Sequence, residues 1–196
     1  MRTVVCVSTV VAALMMVGCF RSPPTHFYSL HPIPTEIQGA IRTNGPRIEV
    51  VTVAFPGYLN NPQMALRRTN GEIVVDEYER WVEELESNFE RTVMENLVTR
   101  LDNASVVVVQ TYQVSDSARS IRLEVLQFDV SEEGEAVLKI RWGLLGGSAE
   151  TALSPRLSVY REKLDGESSE ARVAALSRTV ASFCDEVARA VRAGGA

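Results

Sequence analysis

Cysteine and histidine are scarce in this chain: three and two residues out of 196. Both histidines, His26 and His31, fall near the start, and no Cys/His cluster has metal-ligand spacing, which speaks against a zinc or redox-metal site. A Gly-rich phosphate loop is missing as well. Gly146-Gly147 follows a strand-like run but lacks the further spacing and the lysine. No G-x-S-x-G elbow occurs, and neither histidine has a triad context. The carboxylate pairs Glu83-Glu84 and Glu132-Glu133 sit on a helix-like surface and in a turn, where they read as solvated charge. Positive charge is not in excess, with 20 basic against 25 acidic side chains. Such a chain gains little from phosphate counterion release, so nucleic acid is not an expected partner. These absences together favour a non-enzyme with no cofactor.

What is present begins at the N-terminus. Met1-Arg2 carries one positive charge, and Thr3–Val17 is an apolar run of about 15 residues, short of the roughly 20 needed to cross a bilayer core. A charged start followed by such a run reads as a signal peptide, residues 1–18. Met16-Val17-Gly18-Cys19 resembles the lipobox of bacterial lipoproteins. That resemblance makes Cys19 the lipidated residue: its thiol takes the diacylglyceryl group, and Gly18 is small enough for the peptidase. Two or more acyl chains anchor stably where one does not. Phe20 rather than Asp follows the cysteine, which by the lipoprotein sorting rule implies the periplasmic leaflet of the outer membrane rather than the inner membrane.

Removing 18 of the 196 residues leaves 178, the size of one domain, with a formal charge of −6 once Arg2 is gone. Cys6 leaves with the signal peptide and Cys19 takes lipid, so Cys184 has no partner for a disulfide. It lies in an apolar helical pattern and reads as a small core residue.

Residues 19–25 form a short tether through Pro23-Pro24, and residues 26–193 form the domain. His26–Leu30 is strand-like, His31–Pro46 is a Pro/Gly-rich loop, and Arg47–Val53 is β-branched and buried in pattern. Gln63–Thr69 and Glu72–Asp76 flank Asn70-Gly71, a strong hairpin signal. Glu79–Leu101 reads as a helix, with Trp81, Leu85, Phe89, Val93, Leu97 and Leu101 every fourth residue. Ser105–Val109 is a short strand. In Ser120–Val130 the apolar phase switches after Val125, which predicts a bulge near Leu126. Glu135–Leu145 alternates cleanly and should pair antiparallel with it through Glu132-Glu133-Gly134. Pro155–Leu164 adds a strand, and Ser168–Ala193 is a closing helix capped by Ser168 or Ser169 and stopped by Gly194-Gly195. The fold class is α+β: a mostly antiparallel sheet packed by two long amphipathic helices in one domain.

One stretch stands apart. Phe55-Pro56-Gly57-Tyr58-Leu59-Asn60-Asn61-Pro62-Gln63 places apolar and aromatic residues in a turn, which suits a contact surface. The equally weighted alternative is that Tyr58 and Leu59 fold back onto the core. Trp81 reads as core, with Arg80 at a rim where an acid can pair with it.

Taken in order, the lipobox, Phe27-Tyr28-Ser29-Leu30, Ile48-Glu49-Val50, Pro56 to Met64 and Arg80-Trp81-Val82-Glu83-Glu84-Leu85 resemble the ABC-type transport auxiliary lipoproteins, of which paraquat-inducible protein C is the type. Two departures stand out: Asn61 where an arginine is usual, and Glu84 where a proline is usual. Arg67 and Arg68 lie close by. The resemblance implies a non-enzymatic accessory subunit that docks an MCE-domain protein of an ABC-type intermembrane lipid transport system at the membrane. Partner-binding residues are then expected around Tyr58, Leu59, Pro62, Gln63 and Arg80. Direct phospholipid contact and a homo-oligomer both stay open, as do the transported lipid and its direction. Two competitors share the anchor. A lipoprotein that regulates a cell-wall synthase should carry a longer tether, and a periplasmic hydrolase lacks its motifs here.

Overall fold

The computed structural model describes residues 22–33, 45–101, 104–109, 119–146 and 153–193. The signal peptide, Cys19 and Gly194-Gly195 lie outside these residues. So does most of the Pro/Gly-rich loop. Among the described residues, eight strands form one sheet: β1 (His26–Tyr28), β2 (Arg47–Ala54), β3 (Gln63–Arg67), β4 (Ile73–Trp81), β5 (Ser105–Val108), β6 (Arg119–Ser131), β7 (Glu135–Leu145) and β8 (Leu153–Lys163). Helices α1 (Leu85–Arg100) and α2 (Ser169–Ala193) pack on each other and against the sheet. The architecture is α+β, as its sequence pattern predicts.

By paired length the sheet is mostly antiparallel, through β3–β4, β6–β7 and β7–β8. Shorter parallel ladders join β1 to β4 and link β2 to β5 and β6. The β6–β7 register skips between Val125 and Gln127, so the bulge falls at Leu126. One unpaired residue there lets Ile121, Leu123 and Val125 face the helices and then Phe128 and Val130 do the same. The Asn70-Gly71 hairpin forms too, with Gly71 at φ 87, a backbone angle that favours glycine.

The first long helix begins later than its apolar spacing predicts. Glu79, Arg80 and Trp81 belong to β4, paired with His26, Phe27 and Tyr28 of β1. The Trp81 N–H donates to the Pro62 carbonyl at 2.7 Å, and Val82 N–H to Tyr28 at 2.9 Å. Trp81 and Leu85 both point into the core, one from a strand end and one from a helix start, so the four-residue spacing runs unbroken across the junction. The closing helix begins as expected, with Ser168 Oγ accepting from the Ala171 N–H at 3.3 Å. The core is apolar and aromatic. Phe89 meets Phe128 edge-on at 5.3 Å, and Phe183 meets Trp142 at 5.8 Å. Cys184 is fully buried, and burial pushes its thiol well above the ordinary range.

Helix α1 also carries a stripe that the apolar pattern hides. Asn88, Thr92, Asn96 and Arg100 recur every fourth residue and are all buried. Three of them hold the incoming chain, while Thr92 donates back to the Asn88 carbonyl at 2.7 Å. Leu30 N–H donates to Asn88 Oδ1 at 2.7 Å, and Ile33 N–H to Asn96 Oδ1 at 3.1 Å. Arg100 Nη1 donates to the Ile33 carbonyl at 3.0 Å, while its Nε reaches Asp185 of α2 at 2.6 Å. His31 N–H finds Ser177 Oγ of α2 at 3.2 Å. An extended segment buried beside helices needs such partners, because each unpaired backbone group is costly. Asn88→Ala is therefore expected to lower unfolding free energy by ~1–3 kcal/mol, since it orphans the Leu30 N–H. Urea denaturation checks this, and Glu83→Ala, which removes an exposed carboxylate shared by Asn88 and Arg91, should cost clearly less.

Candidate docking cleft

Strand β6 is long enough to have two neighbours on one edge. Residues Arg119 to Glu124 pair with β2, and Val130 and Ser131 pair with β3. Between these ladders the edge of β6 would be bare. The β2–β3 connection fills the gap with a short 3-10 turn, Gly57–Leu59. Its residues are fixed by what the gap lacks. The Tyr58 hydroxyl accepts from the Phe128 N–H at 3.2 Å, in place of a ladder bond, and donates to Asp129 Oδ2 at 2.6 Å. Leu59 is buried, and Phe55 packs on Phe89 at 5.8 Å between centroids.

Asp129 is the polar centre of this turn. Its side chain is fully buried. Arg67 donates to Oδ2 from Nε at 2.9 Å and from Nη2 at 2.6 Å, while Gln127 Nε2 donates to Oδ1 at 2.8 Å. The Arg67 guanidinium also lies 5.2 Å from the centre of the Tyr58 ring. Burial first, then the bond to Asp129, pushes the Tyr58 hydroxyl well above its usual range. It stays a neutral donor.

The turn therefore divides. Tyr58 and Leu59 fold back onto the domain, whereas Asn60, Asn61 and Pro62 stay exposed on one wall of a cleft of about 580 Å³. The other wall is the β4–α1 junction, Trp81 to Glu86. Leu59, Trp81 and Leu85 give it an apolar floor, and Val82 projects at its lip with 61% of its surface exposed. Glu83, Glu84 and Glu86 make the rim acidic. Glu86's carboxyl sits above the usual carboxylate range, by burial first and then by repulsion from Glu90 and Glu84. Gln63 and Arg80 are register partners beside the cleft, and neither lines it. Arg80 pairs with Glu77 at 3.6 Å. Arg67 and Arg68 do not replace the arginine usual at position 61, for Arg67 is held by Asp129 and Arg68 by Glu72 at 2.7 Å.

Among the described residues, no helix is long and apolar enough to cross a membrane, and no group of three or more His, Cys, Asp or Glu gathers to hold a metal. The cleft offers shape and charge for binding, and no nucleophile with a base beside it.

Comparison with known proteins fits these features. The family model of the ABC-type transport auxiliary lipoprotein component matches residues 28–188, a span that takes in the turn, the cleft, all of α1 and most of α2. The chain belongs to this family. Two solved structures share the fold. One, a crystal structure of an uncharacterized protein, has TM-score 0.68 at 18% identity and covers 86% of this chain and 99% of its own. The other, from Xanthomonas campestris and of family DUF330, has TM-score 0.64 at 17% identity, covering 87% and 96%. No curated protein matches. ABC-type transport auxiliary lipoproteins are membrane-associated components of the cell envelope, and theirs is a transport family rather than an enzyme family.

Val82 and Asp129 are the site residues that sequence reasoning missed. Val82 falls inside the stretch whose spacing predicts a helix, and only the strand-to-helix break at residues 82–83 turns it outward. Asp129 carried one signal, an acid between Phe128 and Val130 in an apolar strand.

Proposed function

We propose that this auxiliary lipoprotein docks an MCE-domain protein of an ABC-type intermembrane lipid transport system to the outer membrane. The family match over residues 28–188 carries the reading. The acyl chains on Cys19 hold the domain in the periplasmic leaflet, and the tether through residue 25 is short. The clamp of α1 and α2 on Ser29–Ile33 fixes the domain close to that anchor, which suits a docking platform better than a long-range reach. The cleft is the docking surface. Its apolar floor fits an aliphatic or aromatic anchor residue, and Glu84 and Glu86 on its rim, beside Glu83 that Arg91 already pairs, fit flanking basic groups on the partner.

The test is cross-linking in the intact envelope, detergent extraction through a tag after Ala196, and identification of partners by mass spectrometry. The variant has to be chosen with care, since alanine at Tyr58 or Leu59 would damage the fold. Val82→Asp changes an exposed side chain at the lip and leaves the core alone. Recovery of an MCE-domain protein, reduced about tenfold by Val82→Asp, is the expected result; it corresponds to ~1.4 kcal/mol of binding. Recovery of a peptidoglycan synthase with no MCE-domain protein overturns the proposal.

A further inference from the structure

The corner of the sheet built by β1 and the end of β4 has an apolar outer face that nothing among the described residues covers. Pairing with β1 over Glu79–Trp81 leaves Trp81 inward and Arg80 outward; Tyr78 is exposed in the bulge just before this ladder, and Val82 is exposed just past the strand end. Phe27 of β1 is the register partner of Arg80 and shares that face. Phe27 is 62% exposed and Tyr78 41% exposed. The charges nearest in the chain are Arg80 and Glu77, which pair at 3.6 Å, Asp76, which accepts from the Tyr78 N–H at 3.0 Å, and Glu83 beyond Val82, which Arg91 pairs. The exposed side chains between them, Phe27, Tyr78 and Val82, are apolar or aromatic. Such a mixture suits a headgroup boundary, where amphipathic side chains keep one end apolar and the other wet.

The length of chain before it says what covers it. His26 stands seven residues after Cys19, so the tether spans at most about 25 Å even when fully extended. Phe27 cannot lie much farther than that from the acyl chains, and Ser29–Ile33 is clamped by α1 and α2 just behind it. We infer that the Phe27–Tyr78 face rests on the phospholipid headgroups of the leaflet that holds the Cys19 acyl chains, setting one orientation of the domain on the membrane. The inference rests on the lipidation of Cys19. The cleft meets this face at Val82, so the docking surface opens beside the membrane.

A depth measurement on the full lipidated chain tests this. The protein is reconstituted into vesicles of phosphatidylethanolamine and phosphatidylglycerol, with a fluorophore on a single introduced cysteine. Phe27→Cys and Tyr78→Cys report the face, and Leu157→Cys on β8, at the far side of the sheet, is the control. All three positions are exposed, so folding is not at risk, and the buried Cys184 stays unlabelled. Quenching by brominated lipid should be at least about twofold stronger at Phe27 and Tyr78 than at Leu157, as expected of side chains seated roughly 5 Å into the headgroup region. Equal quenching at all three positions, with mass spectrometry showing lipid on Cys19, overturns the face alone. An unmodified Cys19 overturns the face together with the anchor.

Discussion

Phe89→Ala is expected to lower unfolding free energy by ~3–5 kcal/mol. Phe89 is fully buried on α1 and touches two other rings, Phe55 at 5.8 Å and Phe128 at 5.3 Å. Those contacts join the helix, the β2–β3 turn and the bulged strand β6 at one point. Truncation removes the apolar transfer energy and leaves a void that three separate elements would have to move to fill. For a domain of this size the loss should lower the melting midpoint by roughly 6–20 °C. Phe89→Leu leaves a smaller void and should lose clearly less. The turn that loses Phe55 packing also builds one wall of the cleft, so Phe89→Ala should weaken partner recovery through a position that no partner touches. A midpoint within about 2 °C of the parent protein would show that the site collapses easily, and that this ring cluster is not what holds the turn.

Alternation and turn chemistry made most of the fold legible. The long ladders and the closing helix follow from local signals that the packing then reinforced, and the bulge at Leu126 was readable because a phase change in an apolar strand has few other causes. The helix start was not readable. Trp81 sits four residues before Leu85 whether it ends a strand or begins a helix, and only the pairing with Tyr28, 53 residues earlier, decides between them. Asn88, Thr92, Asn96 and Arg100 were hidden for a related reason. Polar residues on a helix rich in glutamate and arginine carry no local sign of burial, and only the segment Ser29–Ile33 lying against Asn88, Asn96 and Arg100 turns this face inward. The candidate turn was half legible. Its composition marked it as special, yet whether Tyr58 faces a partner or the core depends on a gap along β6 that no local pattern reveals.

That gap gives the second large effect, Arg67→Met. Asp129 has a fully buried side chain, and Arg67 supplies its balancing charge from a side chain that is 31% exposed. Removing the arginine strands a carboxylate that keeps only Tyr58 and Gln127 as partners, and breaking a buried pair in this way costs about 3–5 kcal/mol. The loss comes from the carboxylate left behind rather than from the arginine itself, so a second change at Asp129 should reverse part of it. Arg67→Met with Asp129→Leu is expected to be more stable than Arg67→Met alone, because no charge then remains buried. Denaturant titrations of the two single variants and the double variant give the coupling directly. If Arg67→Met alone costs under ~1 kcal/mol, solvent reaches Asp129 and the turn is held by Tyr58 and the Phe55–Phe89 contact alone. If the cost is large and the double variant recovers, Asp129 fixes Tyr58 in place and so sets the wall of the cleft on which Asn60, Asn61 and Pro62 are presented.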